Sequence, residues 1–234
     1  MTDLCVMLPT RHRPEMARRC IDSFRETVSS PEVELTLVVD DDDHSYDEGF
    51  EGVHKATVTR GTLVTAINVA AAFLAPDFGA LMLVADDMIF QTPGWDEKLL
   101  AALGEIGGTG IVGWDDKRRY DALEHVLMST DIVRALGYFA NPAMSHFYID
   151  NAWTELGKRS GLLRYCPDVI IEHKHYSVDP ETVRDEVYTA AETAHGGPDL
   201  AAFQQYRTDQ LPLDVAMLRR EFSRDVSWVL SRVA

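Results

Sequence analysis

Two apolar runs that end abruptly in acids constrain this chain more than any other feature. Glu34 to Val39 (ELTLVV) leads straight into Asp40, Asp41, Asp42 and Asp43, and Ala80 to Val84 (ALMLV) leads into Ala85, Asp86 and Asp87. Continuous apolar runs of this length read as strands covered on both faces, the mark of a parallel sheet. In open parallel sheets, ligands bind beyond the carboxyl ends of the strands. Carboxylates gathered there repel one another unless a cation or hydrogen-bond donors satisfy them. A hard divalent ion bridging a diphosphate is one solution. Two solvated acidic turns are the plain alternative, and the repetition of the pattern after two buried strands argues against it.

The rest of the chain supplies the elements such a sheet needs. Leu4 to Leu8 (LCVML) is a further buried run that breaks at Pro9. Pro14 suits a first helical turn, and Met16, Cys20, Ile21, Phe24 and Val28 share one helical face after it. Strand, helix, strand is the start of a parallel βαβ unit. Val53 to Thr59 alternates as a third strand, and Thr62 to Leu74 reads as a helix. Thr92-Pro93-Gly94 is a turn, followed by an amphipathic helix carrying Trp95, Leu99, Ala102, Leu103 and Ile106. Gly110 to Gly113 and His125 to Met128 are short strands, Phe147 to Ser160 a helix, and Val169 to Ile171 a late strand. After about residue 175 the pattern turns helical, over Pro180 to Ala194 and Pro212 to Val229, with a break expected at Gly196-Gly197-Pro198. The expectation is an α/β domain over residues 1–175, a mainly parallel sheet flanked by helices, with residues 176–234 as a helical extension packed on it.

Composition narrows the function. With 234 residues, one large α/β domain plus a small appendage is the expected size. No apolar run approaches the ~20 residues that span a bilayer, so no membrane span is expected. Cys5, Cys20 and Cys166 are odd in number and widely spaced, as in a reduced, cytoplasmic protein. No basic leader precedes the first strand. A formal net charge of -16 repels phosphate backbones at long range and argues against a general nucleic-acid-binding protein. The chain has no G-x-G-x-x-G after its first strand, no G-x-x-x-x-G-K-[ST], no G-x-S-x-G and no H-E-x-x-H. These gaps count against dinucleotide-binding, P-loop and common hydrolase classes.

The series Leu8-Pro9-Thr10-Arg11-His12-Arg13-Pro14, Val38-Val39-Asp40-Asp41, Gly61 through Asn68, Ala85-Asp86-Asp87 and Pro93-Gly94-Trp95 resembles the GT-A glycosyltransferases, nearest to the inverting family 2. The resemblance covers roughly the first 175 residues and rests on order and spacing rather than on any one element. It implies a sugar transferase that uses a nucleotide-sugar donor, a UDP- or GDP-sugar, with Mn2+ or Mg2+. Pro9, Thr10, Arg11, Asp40 and Asp41 would hold the donor nucleoside. Arg13 matches the arginine of the family's first loop, while His12 stands where asparagine is usual. Asn68 would face the donor. Asp86-Asp87 matches the DxD motif without its strict spelling, since Ala85 precedes and Met88 follows. Asp87 would bind the metal, Asp86 the ribose or a metal-bound water, and either His173 or His175 would complete the metal shell. Asp150, in Tyr148-Ile149-Asp150, matches the family's base for the acceptor hydroxyl, with Ile149 in place of a first acid. The plain reading of Asp150 is a helix-dipole acid.

The acceptor side is less defined. Trp114, Lys117, Arg118 and Arg119 follow a short strand and are assigned to acceptor binding, against the reading of a solvated charged loop. The compact chain and its H-x-H ending also resemble small bacteriophage glycosyltransferases, which would place it in a host cytoplasm. The acceptor then stands between a saccharide, a small molecule and a hydroxylated base in phage DNA, which would need flipping out of the stack. Two other classes remain: a non-catalytic nucleotide-sugar-binding module, and a metal-dependent nucleotidyltransferase or phosphohydrolase.

Overall fold

The structure, a computed structural model, describes residues 3–118 and 122–222. Strand β1 (Leu4–Pro9) is an interior strand of the eight-stranded sheet, buried from Leu4 through Leu8. Parallel to it run β2 (Glu34–Asp40) on one side and β4 (Ala80–Leu83) on the other, with β3 (His54–Val58) outside β2. Beyond β4 come β7 (Leu127–Ser129), β6 (Ile111–Asp115), β8 (Leu163–His173) and β5 (Met88–Phe90). Only β7 and β5 run against the direction of the others, so the mainly parallel α/β sheet forms as expected.

The two-residue period of the strands divides the core into two layers. Cys5, Met7, Val38, Leu81 and Leu83 face one layer. Helices α2 (Leu63–Leu74), α4 (Thr130–Leu136), α5 (Ile149–Ser160), α6 (Glu186–Asp209) and α7 (Leu211–Phe222) build the rest of it. Leu4, Val6, Leu8, Leu37, Val39 and Met82 face the other layer, against α1 (Pro14–Thr27) and α3 (Trp95–Glu105). The Pro93-Gly94-Trp95 turn closes that second layer. Gly94 adopts φ +69°, and its N–H donates to the Thr27 carbonyl at 2.8 Å. Trp95 is fully buried, with ring centroids 5.8 Å from Phe24 and 4.8 Å from Phe90.

The structure differs from the sequence reading in three places. Strand β5 and helix α4 are too short to leave a period in the sequence. Strand β8 begins at Leu163 rather than Val169, because its first half is largely exposed and carries no apolar run. The break at Gly196-Gly197-Pro198 does not occur, since α6 runs straight through it. An interior proline costs a helix about 3 kcal/mol. The adjacent Asp199 offsets this: it is buried and accepts the backbone N–H groups of Ser145, His146 and Phe147 at 2.9, 2.8 and 2.8 Å. Helix α7 is described to Phe222, and the expected continuation to Val229 lies outside the described residues. Among the described residues no helix is long and apolar enough to cross a membrane.

Asp199→Ala should therefore destabilise the fold by about 3 kcal/mol, because three N–H groups lose a charged acceptor. Asp199→Asn should cost less, since its one amide oxygen retains part of the set. Urea unfolding midpoints measure both; an Ala variant as stable as the parent would contradict this role.

Candidate active site

Strand pairing assembles the site. Strand β4 ends at Leu83, and Ala85-Asp86-Asp87 turns the chain into β5. The antiparallel pairing of β5 with β8 sets Met88 opposite His173, and the Lys174 N–H donates to the Asp87 carbonyl at 2.8 Å. Two segments far apart in sequence thus bring Asp87 and His173 side by side.

Asp86 and Asp87 are 6% and 5% exposed. Such burial of adjacent carboxylates needs compensation, and each acid has its own. Asp86 accepts the Thr10 hydroxyl at 2.7 Å and lies 3.4 Å from Arg13 Nη1. Thr10 Oγ1 also lies 2.7 Å from the Tyr46 hydroxyl, which accepts the Arg13 backbone N–H at 3.0 Å. Burial and the neighbouring Asp87 charge push the Asp86 carboxyl upward. Burial pushes Asp87 the same way, but the facing His173 charge overcomes it and holds Asp87 well below the ordinary carboxylate range.

His173 Nε2 lies 3.2 Å from Asp87 Oδ1, and its Nδ1 lies 2.7 Å from Glu124 Oε2. Glu124 in turn accepts Arg118 Nη1 at 2.6 Å. Burial alone would lower the imidazole, yet these two carboxylates carry it up to about 9. Behind it, burial and the His173 charge push His125 down to about 3, so His125 is neutral at pH 7. Apart from its 3.2 Å ion pair with His173, Asp87 Oδ1 is buried without a hydrogen-bond partner.

That orphaned oxygen fits a cation. Two donors about 2.1 Å from one ion and at right angles stand about 3 Å apart, the observed separation of Asp87 Oδ1 and His173 Nε2. Glu124 then sits on the far ring nitrogen, the partner a ligating histidine needs to fix its tautomer. Among the described residues no three His, Cys, Asp or Glu side chains form a ready cage. The remaining ligands of a cation here would come from water or a phosphate, the usual habit of Mg2+ sites.

The other expected site residues divide. Pro9 ends β1, and Thr10 and Arg13 on the loop after it contact Asp86. Arg11 reaches the acids after β2 instead, 2.6 Å from Asp40 and 2.7 Å from Asp42. Asp41 accepts the Arg60 N–H at 3.1 Å, Asp42 also pairs with Arg60 at 2.9 Å, and Asp43 accepts the His12 N–H at 2.7 Å. This cluster is neutralised by arginines and N–H donors from the protein itself. Asn68 is spent elsewhere: it accepts the Phe139 and Ala140 N–H groups at 2.9 Å each and donates to the Ala140 carbonyl at 2.7 Å. Both ends of its amide are engaged by the loop ahead of α5.

Trp114 corrects the acceptor assignment. It is 4% exposed, packed in the α1–α3 layer, because its place on β6 points inward. Lys117 pairs with Asp115 at 2.6 Å and Arg118 with Glu124, while Arg119 lies outside the described residues. Asp150 is in the first turn of α5, behind Tyr148, which holds φ +64°. Its carbonyl accepts the Thr154 hydroxyl at 2.8 Å, and that hydroxyl accepts the Leu123 N–H at 2.8 Å, next to Glu124. His175 does not share the extended line with His173. Strand β8 ends at His173, the His175 N–H turns back to the His173 carbonyl at 2.8 Å, and its Nδ1 lies 2.8 Å from Ser177 Oγ.

Sequence reasoning missed two residues at the site, one on Asp87 and one on Arg13. The Tyr188 hydroxyl donates to Asp87 Oδ2 at 2.5 Å, and its ring lies 4.0 Å from the Arg13 guanidinium. Asp185 accepts Arg13 Nε and Nη2 at 2.8 and 2.6 Å. Both sit at the start of α6, in a segment with no local signal beyond Asp185 as a helix N-cap. Glu124 also escaped notice, an acid in a loop with no motif around it.

No protein-family model matches the chain, and no curated protein matches it in sequence. Solved structures match its shape. The mannosyltransferase PcManGT from Pyrobaculum calidifontis, in complex with GDP-Man and Mn2+, has a TM-score of 0.59 at 13% identity, covering 99% of this chain and 79% of that one. GalNAc-T7 with UDP, GalNAc and Mn2+ has a TM-score of 0.66 at 13% identity, covering 98% of this chain and 53% of that one. The glucosyl-3-phosphoglycerate synthase from Mycobacterium tuberculosis, with Mn2+, UDP and phosphoglyceric acid, has a TM-score of 0.58 at 13% identity, over 81% and 74%. The fold is that of the GT-A glycosyltransferases. In this fold the Asp86-Asp87 pair lies between β4 and β5.

The Asp87–His173–Glu124 set has a pH signature in chelator-treated protein. The folded His173 titrates near 9, above its ordinary 6.5, so its contribution is complete below pH 6.5 and is lost as pH rises through 9. The loss should be on the order of 3 kcal/mol. Melting temperature should fall across that window for the parent and stay flatter for His173→Gln; parallel curves would contradict the pairing.

Proposed function

We propose that this chain is a metal-dependent glycosyltransferase acting on a nucleotide-sugar donor. The observation that carries the reading is Asp87 Oδ1, buried, without a hydrogen bond, and 3.2 Å from His173 Nε2 at the end of a central strand. Asp87 and His173 would hold Mn2+ or Mg2+, which when bound neutralises charge on the departing diphosphate. Glu124 keeps the His173 ring oriented with Nε2 toward Asp87. Arg13 offers a planar fork to phosphate oxygens, and Asp86 orients Arg13 while accepting the Thr10 hydroxyl. The loop Pro9-Thr10-Arg11, with Asp40 and Asp41, lines the nucleoside side. The structural neighbours carry GDP-Man or UDP, which supports a GDP- or UDP-sugar as donor.

Asp150 is the proposed base. It lies in the first turn of α5, one turn before Thr154, which accepts the Leu123 N–H, and it would take the proton of an acceptor hydroxyl in a single inverting displacement. A net charge of -16, with Lys117 and Arg118 paired to Asp115 and Glu124, favours a saccharide or small-molecule acceptor over a nucleic acid.

Two measurements test this. Calorimetry should detect Mn2+-dependent binding of UDP or GDP that Asp87→Ala abolishes while its circular dichroism stays unchanged. Equal affinity in the variant would remove Asp87 from the metal site. Asp150→Asn keeps size and polarity at the helix start, so it should retain donor binding but lose transfer by at least ~100-fold. Turnover at the parent rate would reduce Asp150 to a structural acid.

A further inference from the structure

The groups that would meet a metal and a diphosphate are already engaged by the chain itself. Arg13, with a side chain 9% exposed, gives its Nε and Nη2 to the Asp185 carboxylate in a two-pronged contact. A guanidinium fork accepts carboxylate and phosphate in the same geometry. The Tyr188 hydroxyl occupies Asp87 Oδ2, and its ring covers the Arg13 guanidinium. The recess that Asp86 and Asp87 line with Met16, Arg19, Ile89 and Lys174 measures about 10 Å³. That is room for about one water molecule, whereas ligand pockets run to roughly 300–1,000 Å³.

The segment that engages Arg13 and Asp87 buries little of its own surface. From Glu186 to Pro198, no residue of α6 is buried; Asp199, Phe203 and Tyr206, all beyond the proline, are the buried ones. The first half is held by polar contacts of Asp185, Tyr188 and Glu192, and by ring contacts of Tyr188 with His175 and Tyr176 and of His195 with His146. Asp199 pins the second half firmly, so the Gly196-Gly197-Pro198 stretch separates a fixed part from a lightly held one. Segments with few buried apolar contacts open at low cost. An open cleft of about 650 Å³ lies along the same helix start, lined by Asp185, Glu186, Thr189, Ala190 and Thr193 among others.

We propose that the start of α6 is an autoinhibitory latch, in which Asp185 stands in for a phosphate on Arg13 and Tyr188 covers the metal-ligating carboxylate of Asp87. Loading of metal and nucleotide diphosphate requires this turn to withdraw. The proposal rests on the donor-binding reading above. It differs from a plain donor contact in sign: removing the latch strengthens binding.

The test uses the full chain, with UDP or GDP plus MnCl2, in isothermal calorimetry. Asp185→Asn keeps an N-cap for α6 but takes the charge off Arg13, and Tyr188→Phe keeps the ring but frees Asp87. Each should bind the nucleotide–metal pair about tenfold more tightly than the parent. In the parent, amide exchange over residues 185–195 should speed up when nucleotide and Mn2+ are added. Binding equal to the parent, or weaker, would overturn the latch while leaving the donor reading intact. Unchanged or slower exchange of these amides in a saturated parent would overturn it as well. If neither parent nor variants bind with Mn2+, the donor reading fails and the latch with it.

Discussion

The structure depends on placing two adjacent carboxylates, Asp86 and Asp87, almost out of water at the end of the central strand β4. Each buried charge costs several kcal/mol unless it is matched. The matching groups come from three distant segments: Thr10 and Arg13 after β1, His173 at the end of β8, and Tyr188 in α6, with Glu124 ahead of β7 backing His173. Much of the architecture around the site follows from bringing these segments together. The short β5, the long β8 and the polar start of α6 all end on this one pair.

The compensation is uneven, and that gives the site its chemistry. Asp86 is satisfied by a hydroxyl and a guanidinium. Asp87 keeps one oxygen without a donor, facing a histidine that is cationic when no metal is present. Ligation of a metal would require that histidine to give up its proton, so cation and proton compete for the same space between Asp87 and His173. The acids after β2 differ. Arg11 and Arg60 answer them directly, so their charge is already paired by the protein.

The sheet was legible in the sequence because Leu4–Leu8, Glu34–Val39 and Ala80–Val84 are apolar without interruption, as strands covered on both faces must be. Asp86 and Asp87 were legible because they follow such a strand, and His173 because of its residue type. Its partner geometry was not legible, since it is set by β5, a three-residue strand that leaves no period. Trp114 looked like a binding residue beside a charged run, yet its strand turns it into the core. Gly196-Gly197-Pro198 carries every local mark of a break, and a tertiary contact of Asp199 overrides it. Asp185 and Tyr188 sit in a helix whose sequence says nothing of the distant Arg13 and Asp87 they touch. Such contacts are made by topology, and local pattern does not record them.

The central claim is that His173 and Asp87 share one cation with a nucleotide diphosphate. Pulsed electron paramagnetic resonance of Mn2+ bound with UDP or GDP measures this directly, through nuclear couplings to ligand atoms. The account predicts one imidazole nitrogen coupling alongside phosphorus couplings, with the nitrogen signal absent in His173→Gln. Phosphorus couplings with no nitrogen coupling, or a nitrogen coupling that survives His173→Gln, would contradict it.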